Sequence, residues 1–244
     1  FNENTTNITN TTSIDLLNII QWLEQMGIKN YTINDDGTVD VDGHVDLSYK
    51  NLTKIPIQFG WVKGNFWCDE NKLTTLKGVP RKVSGNFSCS YNQLTTLKNA
   101  PRKVNGSFDC SFNQLITLQG APREVGGNFW CQHNKLTTLK GGPQIVGKGF
   151  RCYGNKLTTL EGAPYEVSKY FWCNDNELIS LQGAPRKIGG DFNCQNNRLT
   201  SLKGAPKKTI DGDFWCNNNQ LATLQGTPRR INGSFYCDKN KLTS

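Results

Sequence analysis

One feature constrains this chain more than any other: it repeats. Cys68, Cys89, Cys110, Cys131, Cys152, Cys173, Cys194, Cys216 and Cys237 follow one another at steps of 21 residues, with one step of 22 where Thr209-Ile210 adds a residue. Each interval spells the same word, Phe-x-Cys-x-x-Asn-x-Leu-x-x-Leu-x-Gly-x-Pro-x-x-Val. One complete copy is Phe129, Cys131, Asn134, Leu136, Leu139, Gly141, Pro143 and Val146. A chain with this period grows by stacking, each unit burying a thin slice against its neighbours, so a hydrophobic content of 36% is enough.

Each position in the word has a mechanical reading. Phe-x-Cys is a short strand whose two named side chains point inward, because strand side chains alternate faces. The Asn falls where the chain turns away, and its amide can satisfy backbone groups of the turn and of the adjacent rung. Leu-x-x-Leu fills the interior. Gly-x-Pro favours an extended, non-helical return, since the residue before Pro avoids the α region. A degenerate rung comes first, with Val45 and Leu47 at the Phe and Cys positions, Leu52, Ile55 and Val62 in step with Leu73, Leu76 and Val83, and Lys50 in place of Asn. Counting it, the expectation is about ten rungs over 44–244, the last incomplete. The chain starts at Phe1 and stops within a rung, so it is expected to be part of a longer protein.

Ahead of the rungs, Ser13 is placed to cap a helix from Ile14 to about Met26, and Gly27 suits its end. Tyr31-Thr-Ile33 and Thr38-Val-Asp-Val41 flank Asn34-Asp-Asp-Gly37 and read as a hairpin. Residues 13–43 are thus expected to form a helix-hairpin cap, and the Asn/Thr-rich residues 1–12 a flexible arm. Residues 1–43 carry seven carboxylates and one lysine, a charge of −6, which leaves +14 on the rest of a chain whose net charge is +8. An acidic cap therefore precedes a basic body that can attract anionic partners or the cap of another copy.

The repeated word resembles the short bacterial type of leucine-rich repeat found in secreted effectors. It is still more similar to repeats of tailed-phage proteins, in which Asn-x-Leu-Thr-x-Leu-x-Gly-x-Pro units follow a cap like that from Trp22 to Val45. The resemblance covers roughly residues 14–244. It implies a leucine-rich-repeat solenoid, a β-rich superhelix with a parallel sheet on its concave face. Phe-x-Cys replaces the usual aliphatic residues, and Gly-x-Pro replaces Leu-Pro. The ubiquitin-ligase effectors of the bacterial family carry a separate catalytic domain that has no counterpart in this sequence, so the resemblance carries over no activity.

Little in the chain points to catalysis. There is no nucleophile elbow, phosphate loop, HExxH or paired-carboxylate pattern, and the expectation is a non-enzymatic protein without cofactor or metal. Cysteines 21 residues apart, with no CxxC and only His44 and His133, read as a column of small buried side chains rather than as disulfides or metal ligands. Asn34-Asp-Asp-Gly37 and Asp40-Val-Asp-Gly43 lack the Glu that completes a calcium loop and read as turns. Asn-x-Ser/Thr occurs at Asn4, Asn7, Asn10, Asn51, Asn86, Asn105 and Asn232, as chance allows in so Asn-rich a chain. No apolar run approaches the roughly 18 residues of a membrane span.

The outward strand positions carry more information. The residue between Phe and Cys is Trp67, Ser88, Asp109, Trp130, Arg151, Trp172, Asn193, Trp215 or Tyr236, with Tyr170 just before a Phe and Tyr153 just after a Cys. Strands about 4.8 Å apart place Arg151 between Trp130 and Trp172 on one face. Aromatics with Arg are what binding hot spots are made of, although bulky residues can also simply shield a sheet. The set Trp67, Trp130, Arg151, Tyr153, Tyr170, Trp172, Trp215 and Tyr236 is therefore expected to bind a protein or glycan partner. A second candidate is the basic pair after Pro: Arg81-Lys82, Arg102-Lys103, Arg186-Lys187, Lys207-Lys208 and Arg229-Arg230. This ridge could bind nucleic-acid phosphates, or it could merely keep a stacked solenoid soluble; no aromatics are expected on it. The alternative to partner recognition is a structural role, self-assembly or decoration of a virion or cell surface.

Overall fold

The computed structural model describes residues 13–242. The expected arm, 1–12, and any capping by the Ser13 side chain lie outside what is described. A helix, Ser13–Gln25, opens the chain, one residue earlier at each end than the sequence indicates. Gly27 stops it at φ +70°, with Gly27 N–H donating to Glu24 O and Ile28 N–H to Leu23 O, while Leu23 and Ile28 are both buried. Tyr31–Ile33 and Val39–Val41 follow as the antiparallel hairpin. Its turn is closed by the Asp36 carboxylate, which accepts from the Thr38 N–H and hydroxyl. That bond, first of all, holds the Asp36 carboxyl below the ordinary carboxylate range.

The remainder is a parallel β-solenoid with two sheets. The front sheet has ten strands, from Val45–Asp46 to Phe235–Tyr236, each in register with the next. The back sheet has eleven, and the hairpin forms its first two strands. The returns are thus more than extended chain: the residue before Val and the Val itself pair rung to rung, as Lys82 with Lys103 and Val83 with Val104. Two-residue strands are stable here only because ladders above and below hold them.

Between the sheets lies one continuous interior. Phe66, Phe87, Phe108, Phe129, Phe150, Phe171, Phe192, Phe214 and Phe235 form a column whose ring centroids step by 5.1–6.0 Å. The cysteines form a second column, buried except for the half-buried Cys237. The seven thiols from Cys68 to Cys194 donate to carbonyls one rung on, as Cys131 Sγ does to Arg151 O at 3.3 Å. Burial pushes the eight inner thiols well above their usual pKa, Cys216 to about 12.

The Asn column ties rungs together as the sequence indicates. Asn134 Nδ2 donates to Cys110 O, Cys131 O and Gln132 O, and its Oδ1 accepts from the Leu115 N–H at 2.9 Å. One buried amide thus satisfies four backbone groups in two rungs, in a turn that no regular ladder serves.

Candidate recognition face

With Phe and Cys inside, the residues between and after them stand on the outer face of the front sheet. A side-chain ladder runs along this face at the position before Phe. His44 Nδ1 accepts the Asn65 N–H, and Asn65 the Asn86 N–H. Asn86 then takes the Ser107 N–H, Ser107 the Asn128 N–H and Asn128 the Gly149 N–H. It resumes at Asp191, which accepts the Asp213 N–H, and Asp213 accepts that of Ser234. Between these runs stand Gly149, without a side chain, and Tyr170, whose ring cannot replace a short carbonyl or carboxylate acceptor.

The gap is filled by the Tyr170 ring. A Cβ on Gly149 would stand 2.2 Å from Tyr170 Cζ, so the ring lies on bare backbone. From there Tyr170 reaches two rungs back: its hydroxyl accepts from Trp130 Nε1 at 3.1 Å and donates to Asn128 Oδ1 at 3.2 Å. Trp130, Arg151 and Trp172 occupy adjacent strands in register. The Arg151 guanidinium carbon lies 5.4 Å from the Trp130 ring centroid, 5.0 Å from that of Tyr170 and 4.6 Å from that of Trp172. Tyr153 completes the group at 6.5 Å from Trp172.

Five of the eight residues expected on this surface are therefore gathered, half-buried against one another. The other three are not part of the group. Trp67 packs on His44 at 5.6 Å, and Trp215 stacks on Tyr236 at 5.7 Å and 3°.

Two features escaped the sequence. The second residue after Cys is left-handed in every cysteine rung from 68 to 237, with φ of 51–64°. Gly154, Asn196 and Asn218 suit this conformation, but Tyr91, Phe112 and His133 also occupy it, at about 1–2 kcal/mol per bulky residue. They stack as a second aromatic strip, Tyr91 on Phe112 at 4.2 Å and Phe112 on His133 at 4.4 Å. Glycine and asparagine in the same register were the available signal. Beside that strip, between Trp67 and Trp130, a recess of about 390 Å³ has Asp69, Ser88, Ser90 and Asp109 among its lining residues. Asp69 accepts from the Ser88 hydroxyl and from the N–H and hydroxyl of Ser90, and Asp109 from the N–H and hydroxyl of Ser111. Burial raises the Asp109 carboxyl above its ordinary range, against the pull of the Ser111 bonds and of Arg151.

The basic ridge lies on the back sheet, and all ten of its expected residues are exposed. The absence of aromatics expected there is incorrect. Lys82 Nζ sits 4.2 Å over the Trp61 ring and Arg186 5.1 Å over Tyr165, because outward positions of neighbouring strands meet across the ladder. The ridge is interrupted by Gln144, Ile145, Tyr165 and Glu166, with Glu166 paired to Lys187 at 3.9 Å. Among the described residues no group of three or more His, Cys, Asp or Glu is placed to hold a metal, and no helix is long and apolar enough to cross a membrane.

No protein-family model and no curated protein matches this chain. Solved structures do. YopM from Yersinia enterocolitica WA-314 superposes with a TM-score of 0.57 at 19% identity, over 84% of this chain and 50% of that one. YopM from Yersinia pestis, a leucine-rich effector protein, gives 0.49 at 15% identity, over 82% of this chain and 67% of that one. This chain spans about half the length of the Yersinia enterocolitica protein. Neither is a phage protein, and the phage likeness expected from the repeats gains no support from them. The chain has the leucine-rich-repeat solenoid fold seen in YopM.

Proposed function

We propose that this chain is a non-enzymatic scaffold that docks a protein partner on the outer face of its front sheet, centred on Trp130, Arg151, Tyr170 and Trp172. The observation that carries this reading is the interrupted ladder. A column of backbone-satisfying side chains gives way at two adjacent rungs, and at those rungs a tyrosine ties two tryptophan rungs around an arginine. Shielding alone would not need that exchange, since Asn, Ser or Asp maintains the ladder elsewhere. Large aromatics and Arg clustered within a broader polar face are the make-up of an interface hot spot. A rigid sheet of ten strands, roughly 45 Å long, holds the cluster without an ordering penalty. Nucleic-acid binding through the back ridge is the weaker reading, because its basic segments are separated by Gln144, Ile145, Tyr165 and Glu166.

Affinity capture with the 244-residue chain as bait tests the proposal. The Trp130→Ala/Trp172→Ala double variant should lose the captured protein while its melting temperature stays within a few degrees of the parent. Capture unchanged by the double variant contradicts the reading.

A further inference from the structure

Resting on that reading, we propose that Arg151 is the anchor for a single carboxylate of the partner, an aspartate or glutamate side chain in an extended segment laid across the Trp130–Trp172 cluster.

The guanidinium is enclosed but unpaired. Three aromatic rings surround it at 4.6–5.4 Å, which favours a cation through their π faces. Arg151 takes part in none of the ion pairs among the described residues, which join Lys63 to Asp42, Lys140 to Glu161, Lys187 to Glu166 and Arg198 to Glu177. Its Nε is buried without a hydrogen-bond partner. With Nε buried, the edge that carries the terminal nitrogens is what remains for a ligand. That edge matches the two oxygens of a carboxylate.

The surroundings indicate the same need. Among the described residues, five buried side-chain polar atoms lack a partner: Gln132 Oε1, Arg151 Nε, Trp172 Nε1, Asn174 Oδ1 and Asn217 Oδ1. Four of them fall in the three successive rungs of the cluster. Such orphaned atoms are rare in folded chains, so their concentration around Arg151 marks the stretch of the sheet whose polar groups the fold itself does not complete. Trp172 Nε1 is a second donor beside the guanidinium.

Charge selects the kind of anion. One arginine faces the ligand, and Asp109 is near enough for the Arg151 charge to act on its carboxyl. The Asp69 and Asp109 side repels a dianion, and the basic ridge belongs to the other sheet. A monovalent carboxylate therefore fits where a phosphate does not.

The test uses the full chain labelled at its tryptophan indole nitrogens and titrated with N-acetylglutamate amide as probe. The Trp130 and Trp172 indole resonances should shift saturably in the millimolar range. N-acetylglutamine amide should bind at least about tenfold more weakly, as expected for loss of a charge-assisted pair. Arg151→Gln should lose the response by a similar factor at an unchanged melting temperature, and Arg151→Lys should keep part of it, retaining charge without the fork. Equal binding of the glutamine analogue, an unaltered response in Arg151→Gln, or binding of glucuronate or inorganic phosphate in place of the glutamate probe would overturn the proposal. If Trp130→Ala/Trp172→Ala loses its captured protein while Arg151→Gln retains it, the anchor is wrong and the recognition face stands.

Discussion

The Tyr170 hydroxyl accepts a hydrogen bond from the Trp130 indole 40 residues earlier in the chain, across the unadorned backbone of Gly149. That contact joins two tryptophan rungs over the one that carries Arg151. It requires a residue too large for the ladder at 170 and the smallest residue at 149, neither of which the stacking of rungs calls for. Stability and the proposed recognition thus draw on different columns of one repeat.

The Asn column carries the stability side. Asn134→Ala removes three donated bonds and one accepted bond, leaving buried carbonyls and the Leu115 N–H unsatisfied. The expected loss is about 2–4 kcal/mol, since each stranded buried group costs roughly 1–3 kcal/mol and neighbouring rungs relax in part. Urea unfolding followed by circular dichroism measures it. The same substitution at Asn240, which is half-buried in the last rung, should have a smaller effect.

The thiol column predicts an alkaline limit. Burial raises the folded pKa of eight thiols above the ordinary thiol value of about 9, so their contribution is fully present below pH 9 and is lost as pH rises toward the folded values. Each thiol removes about 1.4 kcal/mol per pH unit in that window, and eight acting together exceed a typical domain's stability within roughly one to two units. Unfolding should therefore set in steeply above about pH 9–10. At neutral pH a thiol reagent should titrate Cys237 quickly and the other eight only after denaturation. Rapid reaction of several thiols in the folded chain would contradict the buried column.

What the sequence showed and what it hid differ for a physical reason. Phe129, Cys131, Asn134 and Leu136 recur in every cysteine rung because each must meet its own kind one step away, so the spacing displays their contacts directly. The outward set was equally legible as a set: strand alternation alone put Trp130, Arg151 and Trp172 on one face. How those side chains lean was not legible. Tyr170 and Trp130 meet across two rungs, and only a bare Gly149 between them permits it. Tyr91, Phe112 and His133 went unnoticed because a left-handed position is signalled by glycine or asparagine, and those stand in other rungs, at Gly154, Asn196 and Asn218. The back sheet was read as extended chain because two residues, such as Lys82-Val83, form a strand only when stacked.

The most direct test of the account is the equilibrium stability of Gly149→Asn/Tyr170→Asn, measured beside its capture of the partner. The double variant restores the ladder from Asn128 through to Asp191. The account predicts stability equal to the parent or raised by about 0.5–2 kcal/mol, as when a residue kept for function is replaced by the structural one, together with loss of capture. A variant that is destabilised by more than about 1 kcal/mol, or that captures the partner as before, would show that Tyr170 serves the fold and not recognition.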